Sequence, residues 1–276
     1  MDSRFFSKFF KQLLGVSILI LSQSTFLHAQ KLSLGVKGGP LALWSAYGDK
    51  DDRQEFDSKP KLGYSVSGII GFPLKKKYAC IFEGGYSQRG RKVIFNNGFS
   101  QNNATYRFTD FSLLLQRSFS FNLSKNIVAD WYFSIGPQIS YWLNGDGVVG
   151  SVDNEGQAYT IVFDEAFTGL IDNKMYLNDV NRWLFGLNFG LGMQAPLGGA
   201  RKLNVELRFI SGHTYFGERN SASYSWQNFE DNLRSNEKIL SLTAAYVINV
   251  DLKDRKQGRS TKDKEVKRKP VKKRKR

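Results

Sequence analysis

Five charged residues, Lys37, Glu83, Asp110, Glu206 and Arg208, sit in stretches where apolar and polar residues alternate, and each occupies the polar face of its stretch. Two cations and three carboxylates on facing surfaces can pair with one another, line a polar path or hold a ligand. Ser211 and His213 offer a second chemistry, a nucleophile and a base two residues apart. A working nucleophile needs a base oriented by a third group. The alternation puts both side chains on the apolar face near the end of their stretch, where they read as interfacial polar residues, so no catalytic residue is expected. No metal or other cofactor is expected either. His28 and His213 are the two histidines and Cys80 the one cysteine, whereas zinc needs several converging N or S ligands. A single thiol also excludes an intramolecular disulfide.

A third chemistry lies at the C-terminus, in Lys267, Arg268, Lys269, Lys272, Lys273, Arg274, Lys275 and Arg276. Between Asp251 and Arg276, 14 Lys/Arg face 4 Asp/Glu, so this segment holds ten of the fifteen net positive charges and the rest of the chain is nearly balanced. From Lys253 onward, Val266 and Val271 are almost the only apolar residues; such a segment cannot bury a core and is expected to be disordered. Taken alone, the run looks like a nucleic-acid arm. The other end of the chain argues against that. Arg4, Lys8 and Lys11 precede an apolar run from Leu13 to Leu21, and Leu27-His28-Ala29 forms a small-residue cleavage site, the pattern of a secretory signal peptide over residues 1–29. The apolar run is too short to span a membrane. An exported chain meets no nucleic acid, so none is expected as a partner. Two readings of the tail stay open: a solvated extension with no specific partner, or a tether to peptidoglycan, anionic phospholipid headgroups or an acidic periplasmic protein. Each Lys or Arg near an anionic membrane contributes about 1 kcal/mol.

The elements that position the five charges follow from a period of two. About eight alternating stretches recur, at Lys31–Gly39, Leu62–Pro73, Tyr78–Gly90, Tyr106–Phe119, Asp130–Leu143, Arg182–Gln194, Leu203–Phe216 and Glu237–Val250. Each is near the length a tilted membrane-crossing strand needs. In the fifth, Trp131, Phe133, Ile135, Ile139 and Tyr141 alternate with Asp130, Ser134, Gly136, Gln138 and Ser140. No later segment is apolar for the length of a spanning helix. A membrane form must therefore be a closed barrel, because in lipid every backbone polar group needs a partner within the protein. The polar face carries Gly186, Gly190 and Gly192; small residues interspersed with a few long polar ones suit the narrow lumen of a small barrel better than the water-facing surface of a sandwich. A charge on the lipid side would cost a few kcal/mol, which predicts that the five charges point inward, paired into a plug.

The connections alternate in length. Residues 40–61, 91–105, 144–181 and 217–236 are predicted to be long loops, and 74–77, 120–129 and 196–202 shorter turns. Short periplasmic turns, longer outside loops and both termini in the periplasm are the pattern of an even-stranded outer-membrane barrel.

Several motifs in this order resemble a known family. Leu34-Gly35-Val36-Lys37-Gly38-Gly39, Gly71-Phe72-Pro73-Leu74, Phe82-Glu83-Gly84-Gly85-Tyr86-Ser87-Gln88-Arg89-Gly90, Gly136-Pro137, Val205-Glu206-Leu207-Arg208-Phe209 and Leu240 to Tyr246 are similar to the small outer-membrane β-barrel proteins of Bacteroidetes called the PorT family. The resemblance runs to Val250, and the basic extension beyond it departs from the family pattern. It implies an eight-stranded barrel that is not an enzyme and, in some relatives, a role in type IX secretion. The expectation is an all-β, eight-stranded antiparallel up-and-down transmembrane β-barrel over residues 30–250, preceded by an export segment (1–29) and followed by a disordered basic periplasmic tail (251–276). It would sit among outer-membrane lipids with a structural, assembly or secretion-associated role. A narrow pore or a small-ligand-binding barrel is the alternative.

Overall fold

A computed structural model of the chain describes residues 31–75, 77–95, 100–124, 127–150, 156–165, 173–219, 221–224 and 232–251. The export segment read at 1–29 and the tail cations Lys267 to Arg276 lie outside the described residues. The elements are β1 (Lys31–Tyr47), α1 (Lys50–Glu55), β2 (Phe56–Lys59), β3 (Lys61–Lys75), β4 (Tyr78–Phe95), β5 (Gln101–Ser124), β6 (Ile127–Gly150), β7 (Gln157–Phe163), β8 (Lys174–Leu177), β9 (Trp183–Gly198), β10 (Arg201–Gly212), β11 (Ala222–Tyr224) and β12 (Ser235–Asp251).

Eight of these strands close into a ring. The order β1-β3-β4-β5-β6-β9-β10-β12 is antiparallel throughout, and β12 returns to β1 with Lys31 opposite Asp251 and Tyr47 opposite Ser235. Closure leaves no bare edge around the ring, the condition for placing strands in lipid. The period of two decides which face points where. On β12, Glu237, Ile239, Ser241, Thr243, Ala245 and Val247 are buried, while Leu240, Leu242, Tyr246 and Ile248 are exposed. Val36 is 64% and Leu242 53% exposed, so the apolar face of the strands is the outside of the barrel rather than its core. A continuous apolar band of this kind on an isolated chain is a surface for lipid. Aromatic rings mark both ends of the band: Tyr141 packs on Trp183 at 4.7 Å between centroids near the loop end, and Arg117 lies over Tyr78 at 5.7 Å near the turn end.

The start of β1, the end of β12 and the three short connections share one end of the ring. Of these connections, the one after β9 turns through Gly198 and Gly199 at φ 95° and 61°, backbone angles that side chains with a Cβ rarely adopt.

The other end differs from the sequence expectation. Several of the loops expected there are largely strand: β1 continues to Tyr47, β4 to Phe95 and β6 to Gly150, and β5 begins at Gln101. The segment expected as loop 91–105 is thus a hairpin whose connection is residues 96–100, where Phe95 N–H donates to Ser100 O at 2.9 Å. Within 40–61, 144–181 and 217–236 lie further strands: β2 pairs with β4, β7 with β6, β8 with β7 in parallel, and β11 with β8. The seventh strand ends at Gly212 rather than Phe216, and the connection expected at 120–129 shortens to residues 125–126. The reason is common to all. β5 and β6 are 24 residues each, about twice what crossing requires, and their backbone groups go on pairing beyond the membrane because pairing is cheaper than leaving them open.

Candidate functional site

Successive inward positions on the strands fill the lumen with charge. Lys37 from β1, Glu83 from β4, and Glu206 and Arg208 from β10 meet near mid-height. Lys37 Nζ lies 3.0 Å from Glu83 Oε1 and 3.4 Å from Glu206 Oε2. Arg208 grips Glu83 with both terminal nitrogens, Nη1 to Oε2 at 2.5 Å and Nη2 to Oε1 at 2.9 Å, and donates from Nε to Glu206 Oε1 at 2.6 Å. The Tyr132 hydroxyl donates to Glu206 Oε2 at 2.9 Å. Two cations and two carboxylates, each less than a tenth exposed, neutralise one another across the space between β4 and β10. Planar guanidinium-to-carboxylate forks of this kind are the stronger ion pairs. Glycine makes the room: a Cβ at Gly190 would overlap Ser134 Oγ and Glu206 Oε1, and one at Gly192 would overlap the Tyr132 ring.

Asp110, the fifth charge singled out in the sequence, does not join this group. It stands opposite Gly85, one inward position nearer the loop end than Ser112, which faces Glu83. Its partners are Arg89, Ser87 and Ser140, the two hydroxyls donating at 2.6 Å. Arg89 in turn reaches Glu237, with Nη1 at 2.5 Å from Oε1 and 2.7 Å from Oε2, and lies over the Phe108 ring at 4.4 Å. A further inward position up β4, Arg91 donates to Ser45 Oγ and the Tyr47 hydroxyl, both at 3.0 Å, and to Asn232 O at 2.8 Å. Sequence reasoning named Arg89 within a family motif, without assigning it a role, and passed over Arg91, Glu237 and Tyr132. Their signal was available: each keeps the parity of its strand's inward set.

Above these layers the lumen turns apolar. Tyr106, Phe108 and Trp142 point inward from β5 and β6 and are fully buried. Trp142 packs on Tyr106 at 4.6 Å, on Phe163 at 5.1 Å and on Phe216 at 5.5 Å between centroids, so residues of the connections cap the ring. Leu41, Leu43, Ile210 and Ile239 fill the opposite wall. Between the two charged layers remains a gap of about 50 Å³. Beneath the lower one, a vestibule of about 330 Å³ opens at the turn end.

Ser211 lies on the outer face of β10, where its Oγ accepts a hydrogen bond from Lys238 Nζ at 2.7 Å. His213 falls just past the strand, exposed, with its backbone N–H bonded to Phe185 O. Among the described residues, no three His, Cys, Asp or Glu side chains are grouped to hold a metal ion.

Residues 22–213 match the family described as outer membrane protein beta-barrel domain. A search of curated proteins finds no match. Among solved structures the chain is similar to the outer membrane protein OprG from Pseudomonas aeruginosa, at 10% identity over 79% of this chain and 95% of that one, with a TM-score of 0.46. It is also similar to Neisserial surface protein A, at 10% identity over 78% and 96% of the two chains and a TM-score of 0.39. A third is Ail, the attachment invasion locus protein of Yersinia pestis, solved with the heparin analogue sucrose octasulfate, at 11% identity over 79% and 99% and a TM-score of 0.32.

Proposed function

The chain belongs to the outer membrane protein β-barrel domain family, and from that premise we propose that it is a closed, non-enzymatic barrel with a structural, assembly or secretion-associated role in the envelope. One observation carries the reading: the lumen is crossed at mid-height by the Lys37, Glu83, Glu206 and Arg208 pairs and capped at the loop end by Trp142 and Phe216. A ring of about eight strands has an interior that side chains fill, and here paired charges do the filling. In this reading the termini and the three short turns face the periplasm, and the strand extensions and loop cap face outward. Planar-bilayer recording tests it. Bilayers with the purified chain should stay silent, and so should those with Glu206→Ala/Arg208→Ala; stepwise currents from the unaltered chain would establish the narrow pore instead.

The motif resemblance to PorT-family barrels supports envelope assembly or secretion as the setting. Co-purification of partners from gently solubilised outer membranes tests that part. The basic segment from Lys253 to Arg276 would add a tether to an anionic periplasmic surface, peptidoglycan or an acidic protein, as its excess of ten positive charges with the flanking Asp251 would favour at low salt. Deleting 253–276 should leave the barrel folded and reduce salt-sensitive co-sedimentation with peptidoglycan; unchanged co-sedimentation removes the tether.

A further inference from the structure

The vestibule beneath the lower charged layer is built unlike the rest of the lumen. At about 330 Å³ it falls within the roughly 300–1,000 Å³ of small-molecule sites. One wall is apolar, where Ile69 from β3, Ile81 from β4 and Ala245 and Val247 from β12 pack together. The facing wall is polar, with Tyr132, Gln194 and Asn204 from β6, β9 and β10. Asn204 Oδ1 is buried there without a hydrogen-bond partner, an arrangement that costs free energy unless a ligand or water supplies a donor. Lys77, in the turn before β4, and Lys202, at the start of β10, also line the space. Among the described residues neither lysine has an ion-pair partner. Lys37, at the closed inner end, is already held by two carboxylates, Glu83 and Glu206, which line that end with it. Asp130, one inward position below Tyr132 on β6, is not part of the lining.

We propose that this vestibule binds a short amphipathic anion, with its carboxylate or phosphate at Lys77 and Lys202 and its apolar body on the Ile69, Ile81 and Val247 wall. Neither lysine is ion-paired among the described residues, the two carboxylates that also line the space, Glu83 and Glu206, are already neutralised by Lys37 and Arg208, and the wall gives a short chain apolar surface to leave water for. The site rests on the lumen being closed above it. A silent bilayer without anion binding would remove the site and leave the closed barrel standing, whereas a conducting chain removes the closed barrel, and binding is read separately.

The test uses the full chain in zwitterionic lipid nanodiscs, with empty nanodiscs as reference, titrated calorimetrically with hexanoate, hexyl phosphate and hexylammonium. Saturable one-to-one binding of both anions is expected, with hexylammonium about tenfold weaker, and the anions about tenfold weaker to Lys77→Gln/Lys202→Gln, as loss of charge-assisted contacts implies. Val247→Phe, which fills the apolar wall, should abolish binding while heat-modifiable gel mobility persists. Equal affinity for the anions and the ammonium, unchanged affinity in the double glutamine variant, or no saturable binding at all overturns the proposal.

Discussion

Arg208 touches both carboxylates of the lower layer, at 2.5 Å to Glu83 and 2.6 Å to Glu206, and its loss unbalances the lumen. Arg208→Ala leaves two buried acids against Lys37 alone, and removing one partner of a buried ion network costs about 3–5 kcal/mol. Adding Glu206→Ala restores the balance, because the Lys37–Glu83 pair at 3.0 Å remains. The double variant should therefore be less stable than the unaltered chain and more stable than the single one. Urea unfolding followed by heat-modifiable gel mobility checks this; a double variant no better than the single one would show that the four groups do not act as a unit. The face these residues occupy was legible in the sequence, because parity along a strand fixes inside against outside. Height and partner were not. Asp110 shares the inward face with Glu206 yet bonds with Arg89, Ser87 and Ser140, since strand tilt and register set which inward positions meet, and these depend on pairings between segments distant in sequence. Arg89 borders a predicted loop and Arg91 falls inside it, and Glu237, Asp110, Ser45 and Asn232, which they bond, are distant in sequence, so parity gives their face but nothing local gives their role.

At the scale of elements, the strand extensions and the cap depend on one another. Phe216 lies outside any strand, fully buried against Trp142 and Tyr106, and it and the next residue are tied back by backbone bonds, Phe216 N–H to Ser235 O at 3.1 Å and Gly217 N–H to Leu233 O at 3.1 Å. Truncating a fully buried phenylalanine costs about 3–5 kcal/mol. That cost should fall on the cap, because the eight-stranded ring keeps its ladder intact. Phe216→Ala is expected to accelerate limited proteolysis within residues 213–234 and leave the heat-modifiable band unchanged; loss of the band would mean that the cap and the ring fold as one unit. The eight ring strands were legible because long segments with an apolar outer face keep strict alternation. β2, β7, β8 and β11 were not. They are 4, 7, 4 and 3 residues long, too short for a period of two to stand out. The overrunning ends of β4 and β6 offer open backbone groups to β2 and β7, and β8 and β11 add in turn to β7 and β8. Parity also misleads where an inward position is itself apolar: Trp142 sits between Tyr141 and Leu143, and Tyr106 and Phe108 alternate with Thr105, Arg107 and Thr109 on the face opposite to the apolar residues further along β5.

For the molecule as a whole, the decisive question is what meets the outer face, and two leucines separate lipid from water. Leu207 on β10 and Leu197 on β9 both point outward and are almost equally exposed in the isolated chain, at 50% and 52%. Against water the two would be interchangeable, and an arginine at either would cost little. Against a bilayer they differ by depth. Leu197 is one residue from the Gly198 turn, at the rim of the ring, whereas Leu207 is paired on one side with Leu191 and on the other with Leu242 in the body of the apolar band. Arginine at the bilayer midplane of a barrel costs about 2–4 kcal/mol and near the interface about 0–1 kcal/mol. Leu207→Arg should therefore shift urea unfolding in phospholipid vesicles strongly and Leu197→Arg hardly at all. Equal small shifts would mean that water, not acyl chains, covers the band, and the outer-membrane location would fall with it.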